Sequence, residues 1–340
     1  MRTPQPFWTH FGLKRNPFGN IESKDDVFES RELARTMDLL AEAVEEGGIY
    51  SVTGERGIGK TTAKNEIIAY FDENKSRYAY SILECMDLEV VTMGTVLSAL
   101  VTDLSSEPVK QFAEQRSRQA RRIIGEIAAR KKVVLIIDES QRLAAKTMEQ
   151  LKMLTEMKWG IRSRLITVLL FGQPELIARI SRDKGLFLRV TQYNMRGLSE
   201  DEVLQYIDVR CRIAGRNMDE IFSKDALLYI SQNLHSPLHI NHICSGTMRE
   251  AKCAGEKQVS IEMVYKSDGI RNPRQILRDA GLNIHAFAKE AGVRVDDAAK
   301  VLDGQGDDVD PEKRELVRSA FQGIIRGARE QAPEQQRNAG

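Results

Sequence analysis

The chain has 340 residues, more than one domain normally needs, so two or three folded units are expected. Its 50 Lys and Arg residues against 49 Asp and Glu residues leave a net charge of +1. The chain is therefore no polycation, and any nucleic-acid surface must be a local patch. No apolar run approaches the roughly 18 residues of a membrane span, so the composition excludes an integral membrane protein.

The N-terminal residues and the cysteines indicate the compartment. Residues 1–12 lack the apolar region and the cleavage site of a signal peptide. The four cysteines show no CxxC spacing, so we expect reduced, mostly buried thiols and no disulfide frame or zinc site. They are Cys85, Cys211, Cys244 and Cys253. A cytoplasmic protein is the expectation.

The first 197 residues alternate helical and strand patterns. A helix is predicted over 31–46, ending at Gly47-Gly48, and a second helix begins at about Lys60. Five strands are predicted at 49–53, 78–83, 133–137, 165–171 and 190–195. The third and fourth are nearly continuous Val, Ile and Leu, which is typical of parallel strands buried on both faces. We predict an α/β core with a five-stranded parallel sheet.

The rest of the chain is predicted to be helical. Strand patterns vanish over 198–268, where helices are expected at 199–214, 224–233 and 238–254. Residues 269–328 are expected to form a small helical domain. Its helices are predicted at 286–291, 296–302 and 311–326. Residues 329–340 are rich in Gln, Glu, Arg and Gly and are predicted to be disordered.

Residues 54–61 match the phosphate-binding pattern G-x-x-x-x-G-K-[ST] between a strand and a helix. Glycines let backbone N–H groups wrap phosphates, and the helix N-terminus stabilises negative charge. Lys60 is expected to reach the β- and γ-phosphates of ATP, and the Thr61 hydroxyl to bind Mg²⁺. The predicted nucleotide-binding residues of this loop are Gly54, Glu55, Arg56, Gly57, Ile58, Gly59, Lys60, Thr61 and Thr62.

A second motif follows the apolar run 133–137. Asp138 and Glu139 come directly after this strand, at the sheet edge where open α/β folds bind ligands. Asp138 is predicted to hold Mg²⁺ through water, and Glu139 to orient and deprotonate the attacking water. The plainer alternative is an acidic pair that caps the next helix. Together the two motifs predict an ATPase.

Phosphoryl transfer also needs groups that contact the γ-phosphate. Gln173 follows the fourth strand, where a neutral donor could touch both the γ-phosphate and the water; alternatively it only begins a helix. Arg179, Arg182 and Arg189 are candidate arginine fingers for a neighbouring subunit's nucleotide. Arg189 is the first choice because it precedes the fifth strand, and solvated surface arginines are the alternative.

These residues carry a family resemblance over roughly 7–268. Phe11-Gly12-Leu13-Lys14, Asn16-Pro17-Phe18, the phosphate loop, Asp138-Glu139 and 172–176 resemble the ExeA-like branch of the AAA+ ATPases. The chain is also similar to the transposition ATPases TnsC, TniB and phage Mu transposition protein B. The resemblance implies a five-stranded AAA+ core, a helical lid and ATP-dependent homo-oligomers, as rings or helical filaments. It also implies a bacterial or phage-infected cell, and an adenine site near Phe18 and Val27.

One departure from the ExeA-like pattern concerns the lid. Such proteins usually carry Pro-Arg-x-Ile-Asn there, whereas this chain has Pro237-Leu238-His239-Ile240-Asn241. His239 is a candidate substitute for the missing arginine, although a structural histidine is the plainer interpretation. The resemblance with this departure implies a slow, switch-like ATPase.

Two regions are candidates for double-stranded DNA. Residues 110–132 include a predicted helix whose arginines form a positive stripe, able to displace counterions from a phosphate backbone; a solvated face is the alternative. Residues 284–304 resemble a helix-turn-helix, but its Asp296 and Asp297 repel phosphate. For that region, three roles therefore remain as alternatives: DNA binding, protein docking or a purely structural role. The predicted DNA contacts are Arg116, Arg118, Arg121, Arg122, Lys146, Arg294 and Lys300, and weaker candidates are Arg142, Arg162 and Arg164.

Three functions remain open at this point. The first is an AAA+ regulator of DNA transposition that oligomerises on DNA, selects the target and recruits a transposase, with hydrolysis driving disassembly. The second is an ExeA-like secretion-associated ATPase, and the third an ATP-gated transcription regulator. The helix-turn-helix-like region and the positive stripe favour the first. No membrane partner is expected.

Overall fold

A computed structural model of the chain describes residues 5–20, 26–84, 90–267, 273–302 and 308–331. Cys85, the predicted boundary at 268 and the last nine residues of the predicted disordered tail lie outside these ranges. By its internal contacts the chain divides into two units. The nucleotide unit comprises Val27–Leu198 with His235–Leu238, and the helical unit comprises the described residues of Met1–Asp26, Ser199–Leu234 and His239–Gly340.

The nucleotide unit contains a parallel sheet of five strands in the order β2-β3-β4-β1-β5. The strands are β1 (Gly48–Thr53), β2 (Tyr78–Glu84), β3 (Lys132–Asp138), β4 (Ile166–Gly172) and β5 (Val190–Asn194). Because all of them run the same way, their carboxyl ends meet at one edge. The phosphate loop follows β1 and Asp138 ends β3 at this edge. The predicted α/β core is confirmed.

Helices cover both faces of the sheet, as the doubly apolar strands require. They are α1 (Arg31–Glu46), α2 (Lys60–Glu73), α3 (Met93–Leu104), α4 (Ala113–Ala128), α5 (Ala145–Thr155), α6 (Glu175–Ser181) and α7 (Lys184–Phe187). Alternate residues of β3 enter different cores. Val134 packs with α1 and α2, while Val133 and Leu135 pack with α3, α4 and α5. This two-sided packing fixes where each strand ends and therefore where its terminal side chains lie.

From Ser199 onward, the described residues of the helical unit form eight α-helices. They are α8 (Glu200–Ala214), α9 (Lys224–Asn233), α10 (Pro237–Ala254, whose first two residues belong to the nucleotide unit), α11 (Ile261–Ser267), α12 (Pro273–Asp279), α13 (Ile284–Glu290), α14 (Val295–Leu302) and α15 (Pro311–Gln331). A capping box at Ser199 and Glu202 starts α8. The last helix continues five residues past its predicted end. No helix among the described residues is long and apolar enough to cross a membrane.

The first described residues pack within the helical unit. The buried Arg210 of α8 donates to the carbonyls of Pro17 and Gly19, each at 2.5 Å. Arg249 lies over the ring of Phe7, 4.7 Å from its centroid. A buried guanidinium requires such acceptors, so α8 fixes this segment. The sequence analysis placed these N-terminal residues in the core domain, whereas their contacts with Arg210 join them to α8 of the helical unit.

The helix-turn-helix-like region lies in the same unit. Helices α13 and α14 are joined by a turn at Gly292, whose φ is +69°, and Phe287 packs edge-on against Phe321 of α15 at 6.2 Å. Asp297 pairs with Lys313 at 3.3 Å. This acidic residue, predicted to repel phosphate, is therefore neutralised by the last helix.

Candidate nucleotide site and charged surfaces

The phosphate loop occupies the turn from β1 into α2. Gly57 and Gly59 have φ angles of +73° and +115°, conformations that favour glycine. The Lys60 ammonium donates to the carbonyls of Gly54 and Glu55, both at 2.7 Å. Burial lowers the pKa of Lys60, although Glu139 and Asp138 oppose that shift. The loop thus places a cation and a helix N-terminus where phosphates are expected to bind.

The donors present at this edge suit the predicted ligands. A phosphate loop with Lys60 fits a nucleoside triphosphate, and the oxygen donors of Thr61 and Asp138 are of the type that Mg²⁺ prefers. Both oxygens belong to elements that meet at the carboxyl edge of the sheet: α2 begins at Lys60, and β3 ends at Asp138. When bound, Mg²⁺ would neutralise phosphate charge.

Glu139 has a strained backbone directly after β3. Its φ of +50° and ψ of +40° place a non-glycine residue in the left-handed region. Such strain is held only where the surroundings enforce it, and it is concentrated at functional sites. Ser140 contributes to this turn, because its hydroxyl donates to the carbonyl of Ile137 at 2.8 Å. After this turn the Glu139 carboxylate lies within hydrogen-bond distance of the Gln141 and Gln173 side chains.

Two glutamines contact the Glu139 carboxylate. The side-chain amide of Gln141 donates to Glu139 Oε2 at 2.5 Å, and that of Gln173 donates to the same oxygen at 3.3 Å. The side-chain oxygen Oε1 of Gln141 accepts a hydrogen bond from the Gln173 backbone N–H at 3.2 Å. The structure thus brings Gln173 and Glu139 together, and their roles in hydrolysis stay predictions. Gln141 was missed, because a polar residue in a short loop carries no pattern of its own.

A second missed residue is Lys64, one turn after Lys60 on α2. Its side chain is 7% exposed, and its ammonium lies 2.6 Å from Asp138 Oδ2 and 2.9 Å from Glu84 Oε1. Although burial alone lowers the pKa of Lys64, hydrogen bonds to Asp138 and Glu84 raise it above its usual value. The sequence could have indicated a buried, paired lysine, because Lys64 shares the apolar face of α2 with Ala63 and Ile67.

The start of α10 packs against the phosphate loop within the nucleotide unit. A Cβ placed on Gly57 would lie 2.1 Å from Cβ of Leu238, and Ser236 Oγ donates to the Arg56 carbonyl at 3.3 Å. Leu238 holds the position at which the ExeA-like pattern has arginine. His239, the predicted substitute, belongs to the helical unit. The residue against the loop is therefore apolar.

The three candidate finger arginines have different surroundings. Arg179 donates to the backbone carbonyls of Gln141 and Leu143, so it supports the loop that carries Glu139. Arg182 is exposed at the end of α6. Arg189 precedes β5 at the amino end of the sheet and pairs with Glu156 at 2.7 Å. About five residues of strand, roughly 16 Å, separate that end from the phosphate loop, so Arg189 does not serve its own nucleotide.

The two predicted adenine residues fall in different units. Phe18 is buried in the helical unit, where it packs edge-on against Phe222 at a centroid distance of 6.0 Å. Val27 is partly buried against the nucleotide-unit core. Their role at adenine stays a prediction.

The arginines of the predicted positive stripe lie on α4, and each is engaged by a carboxylate or a backbone carbonyl. Arg122 binds Glu107 at 2.6 Å and Glu126 at 3.1 Å, and Arg118 binds Glu114 at 2.5 Å. Arg116 donates to the carbonyls of Gly94, Lys110 and Gln111 and to Ser98 Oγ, so it ties α3 to α4. The stripe therefore presents less free positive charge than its arginine content indicates.

The remaining predicted DNA contacts lie on exposed surface. Arg142 is partly buried, and the exposed residues are Lys146, Arg162, Arg164, Arg294 and Lys300. Arg162 and Arg164 belong to the basic hairpin, the name given to residues 158–164 between α5 and β4. Trp159 and Arg162 form its antiparallel bridge, and Ile161 is fully exposed at its tip.

The basic hairpin is fixed to α4. Arg121 donates to the Lys158 carbonyl at 3.2 Å, and Arg162 donates to the Ala128 carbonyl at 2.9 Å. The Trp159 ring covers Gly125 so closely that an added Cβ would lie 2.3 Å from it. Arg121 therefore contributes to this surface by holding the hairpin, a role the sequence did not indicate.

Comparison with known proteins agrees with this geometry. Residues 43–180 match the family described as AAA domain. General secretion pathway protein A of Aeromonas hydrophila is 27% identical over 277 residues, which cover 77% of this chain and 48% of that protein. This chain thus spans about half the length of that relative.

Two solved structures share the fold. Cdc6p of Pyrobaculum aerophilum superposes with a TM-score of 0.62 at 14% identity, over 92% of this chain and 89% of that one. The Drosophila ORC bound to DNA superposes with a TM-score of 0.55 at 16% identity, over 99% and 84%. At these identities the likeness concerns the fold.

Proposed function

We propose that this chain is an AAA+ ATPase that uses ATP and Mg²⁺ and that it assembles as a homo-oligomer on double-stranded DNA when ATP is bound. The assembly presents the DNA as a target to a transposase and stimulates it, and slow, DNA-stimulated hydrolysis disassembles it. The motifs shared with TnsC, TniB and phage Mu transposition protein B support the transposition step.

The basic hairpin is the observation that carries the DNA part. A fully exposed isoleucine lowers solubility unless it contacts a partner, and Ile161 is flanked in the sequence by the exposed cations Lys158, Arg162 and Arg164. Positive side chains neutralise phosphates, and apolar residues wedge against bases in many DNA complexes. Anchoring on α4 holds the tip rigid, which lowers the entropy cost of binding. One of the similar folds is described as bound to DNA, which agrees with this assignment.

Assembly is supported by the position of Arg189. This residue lies at the opposite end of β5 from its own phosphate loop, so it can act on a nucleotide only if another copy presents one. Its guanidinium now pairs with the exposed Glu156, a contact worth about 0–1 kcal/mol that a neighbouring phosphate could replace. An ATP-dependent homo-oligomer, as a ring or a filament, is the arrangement that satisfies this geometry.

A secretion-associated ATPase is the second candidate. It is favoured by the 27% identity to general secretion pathway protein A, which extends over 77% of this chain. On that alternative duplex DNA would change neither assembly nor hydrolysis.

The deciding experiment combines electron microscopy with an ATPase assay. Purified protein is imaged with duplex DNA and ATP, a non-hydrolysable analogue or ADP, and hydrolysis is measured with and without DNA. We expect rings or filaments on DNA with ATP or the analogue, their loss with ADP, and faster hydrolysis with DNA. A protein that stays monomeric and ignores DNA with every nucleotide contradicts the proposal. Addition of a transposase then separates target selection from an ATP-gated transcription regulator.

A further inference from the structure

Lys64 is a buried lysine in a charge cluster at the carboxyl edge of the sheet. Only 7% of its side chain is exposed, and its ammonium bridges Asp138 and Glu84. These two carboxylates are direct partners in the register of β3 and β2. The lysine therefore joins the ends of two strands to the helix that begins with the phosphate-binding Lys60.

The contacts of Lys64 leave Asp138 with both oxygens engaged. Oδ2 lies 2.6 Å from the Lys64 ammonium, and Oδ1 accepts the backbone N–H of Glu139 at 2.9 Å. A cation that approaches Asp138 meets a positive charge already in hydrogen-bond contact with it. The Lys64 ammonium would repel a cation bound at Asp138, and solvent screens this repulsion little because Lys64 is buried.

We propose that Lys64 is a positioning residue that keeps Asp138 from binding a divalent cation directly, so that the site gains Mg²⁺ only together with nucleotide phosphates. The proposal rests on the assignment of Asp138 to the metal. Free Mg²⁺ meets an Asp138 carboxylate that is already in contact with an ammonium, whereas a nucleotide adds the negative charge of its phosphates. The cluster thereby couples metal binding to nucleotide binding and keeps the empty site free of metal.

A purely structural tie is the competing explanation. Two carboxylates at neighbouring strand ends repel each other, and a buried lysine between them relieves that repulsion. On this view Lys64 affects stability alone, and removing it changes the melting temperature without changing the metal dependence. The readout that distinguishes the two views is therefore the affinity for a metal ion.

The experiment measures Mn²⁺ binding by electron paramagnetic resonance, without nucleotide and with a non-hydrolysable ATP analogue. For Lys64→Met we expect Mn²⁺ affinity without nucleotide to rise at least about tenfold, because a repelling charge is gone. Lys64→Arg keeps the charge and should behave like the natural protein. Asp138→Asn combined with Lys64→Met should remove the gained affinity, which assigns the ion to this carboxylate.

Two further variants keep the test decisive. If Lys64→Met does not fold, the pair Lys64→Met with Glu84→Gln removes one charge of each sign and should show the same gain in Mn²⁺ affinity. Glu84→Gln alone leaves the contact of Lys64 with Asp138, so its Mn²⁺ affinity should stay within about twofold of the natural protein. A folded variant without Lys64 whose Mn²⁺ affinity is unchanged overturns the proposal, as does a gain that survives loss of Asp138. ATP-analogue binding in the natural protein, measured alongside, shows separately whether the nucleotide assignment holds.

Discussion

The carboxyl edge of the sheet and the outer face of α4 both concentrate charge, but they hold it differently. At the edge, Lys60 and Lys64 are half-buried or buried, and their partners come from the loop and from β2 and β3. On α4, Arg118 and Arg122 pair with exposed carboxylates. Exposed pairs contribute about 0–1 kcal/mol each, whereas breaking a buried pair costs about 3–5 kcal/mol.

This difference decides what a charged motif in the sequence can tell. At the sheet edge, the ends of β2 and β3 fix the carboxylates that hold Lys64. A substitution there is therefore expected to alter nucleotide or metal binding or hydrolysis. On α4, Arg122 and Arg118 can exchange their partners Glu107 and Glu114 for DNA phosphates at a small cost in free energy. The amino-acid composition alone therefore does not reveal whether α4 binds DNA. Five variants test this contrast, and their expected effects are largest for the phosphate loop and Glu139 and smallest for α4.

Lys60→Ala removes the cation of the phosphate loop. ATP affinity is expected to fall at least about 100-fold, because the charge-assisted contact with phosphate is lost. Binding of a fluorescent ATP analogue measures it, with Lys75→Ala, an exposed lysine in the turn after α2, as the control. Unchanged affinity would remove the basis for the nucleotide site.

Glu139→Gln keeps the size of the side chain and removes its basicity. Hydrolysis is expected to fall about 10²- to 10⁴-fold while ATP affinity is retained. The variant should also persist as an oligomer on DNA, which sedimentation with duplex DNA measures. Glu149→Gln, an exposed carboxylate on α5, is the control. A normal hydrolysis rate in Glu139→Gln would contradict the assignment of Glu139 as the base that deprotonates the attacking water.

Gln141→Leu removes the amide that holds the Glu139 carboxylate. We expect the hydrolysis rate to fall about tenfold at unchanged ATP affinity, since the base loses its orientation. Steady-state kinetics separates the two quantities. Gln150→Leu, on α5, provides the same substitution outside the network. A rate at or above that of the natural protein would mean that Gln141 restrains Glu139 rather than orienting it.

The same residues show how far the sequence predicts this molecule. Continuous apolar runs predict the five strands, because burial on both faces permits few polar residues, and the strand ends then place Asp138 and Gln173 at one edge. Contacts between distant segments are different. Nothing local to Lys64 names Glu84 as its partner, and nothing near Arg122 names Glu107, because each pair forms only when the fold brings two elements together.

Leu238→Arg restores a cation where the ExeA-like pattern has one. Leu238 already packs against Gly57 of the phosphate loop and is 58% exposed, so a longer side chain can be accommodated. ATP affinity is expected to rise about two- to tenfold, because a screened positive charge is added near the phosphates. Titration with the fluorescent analogue measures it, and Leu238→Gln is the uncharged control. A gain shared by both variants would point to packing and not to charge.

Replacing Arg121 and Arg122 by Ala tests the stripe on α4 and should cause the least change of the five. Each phosphate contact contributes about 0.9 to the slope of log affinity against log salt, so two full contacts would flatten the slope by roughly 1.8. Because Glu107 and Glu126 compensate Arg122, and Arg121 holds the basic hairpin, we expect a loss of at most about one. Ile161→Ser, which leaves every charge in place, should weaken DNA binding without changing the slope. If the arginine pair flattens the slope by the full amount, the α4 ion pairs open on DNA and the stripe itself is the phosphate-binding surface.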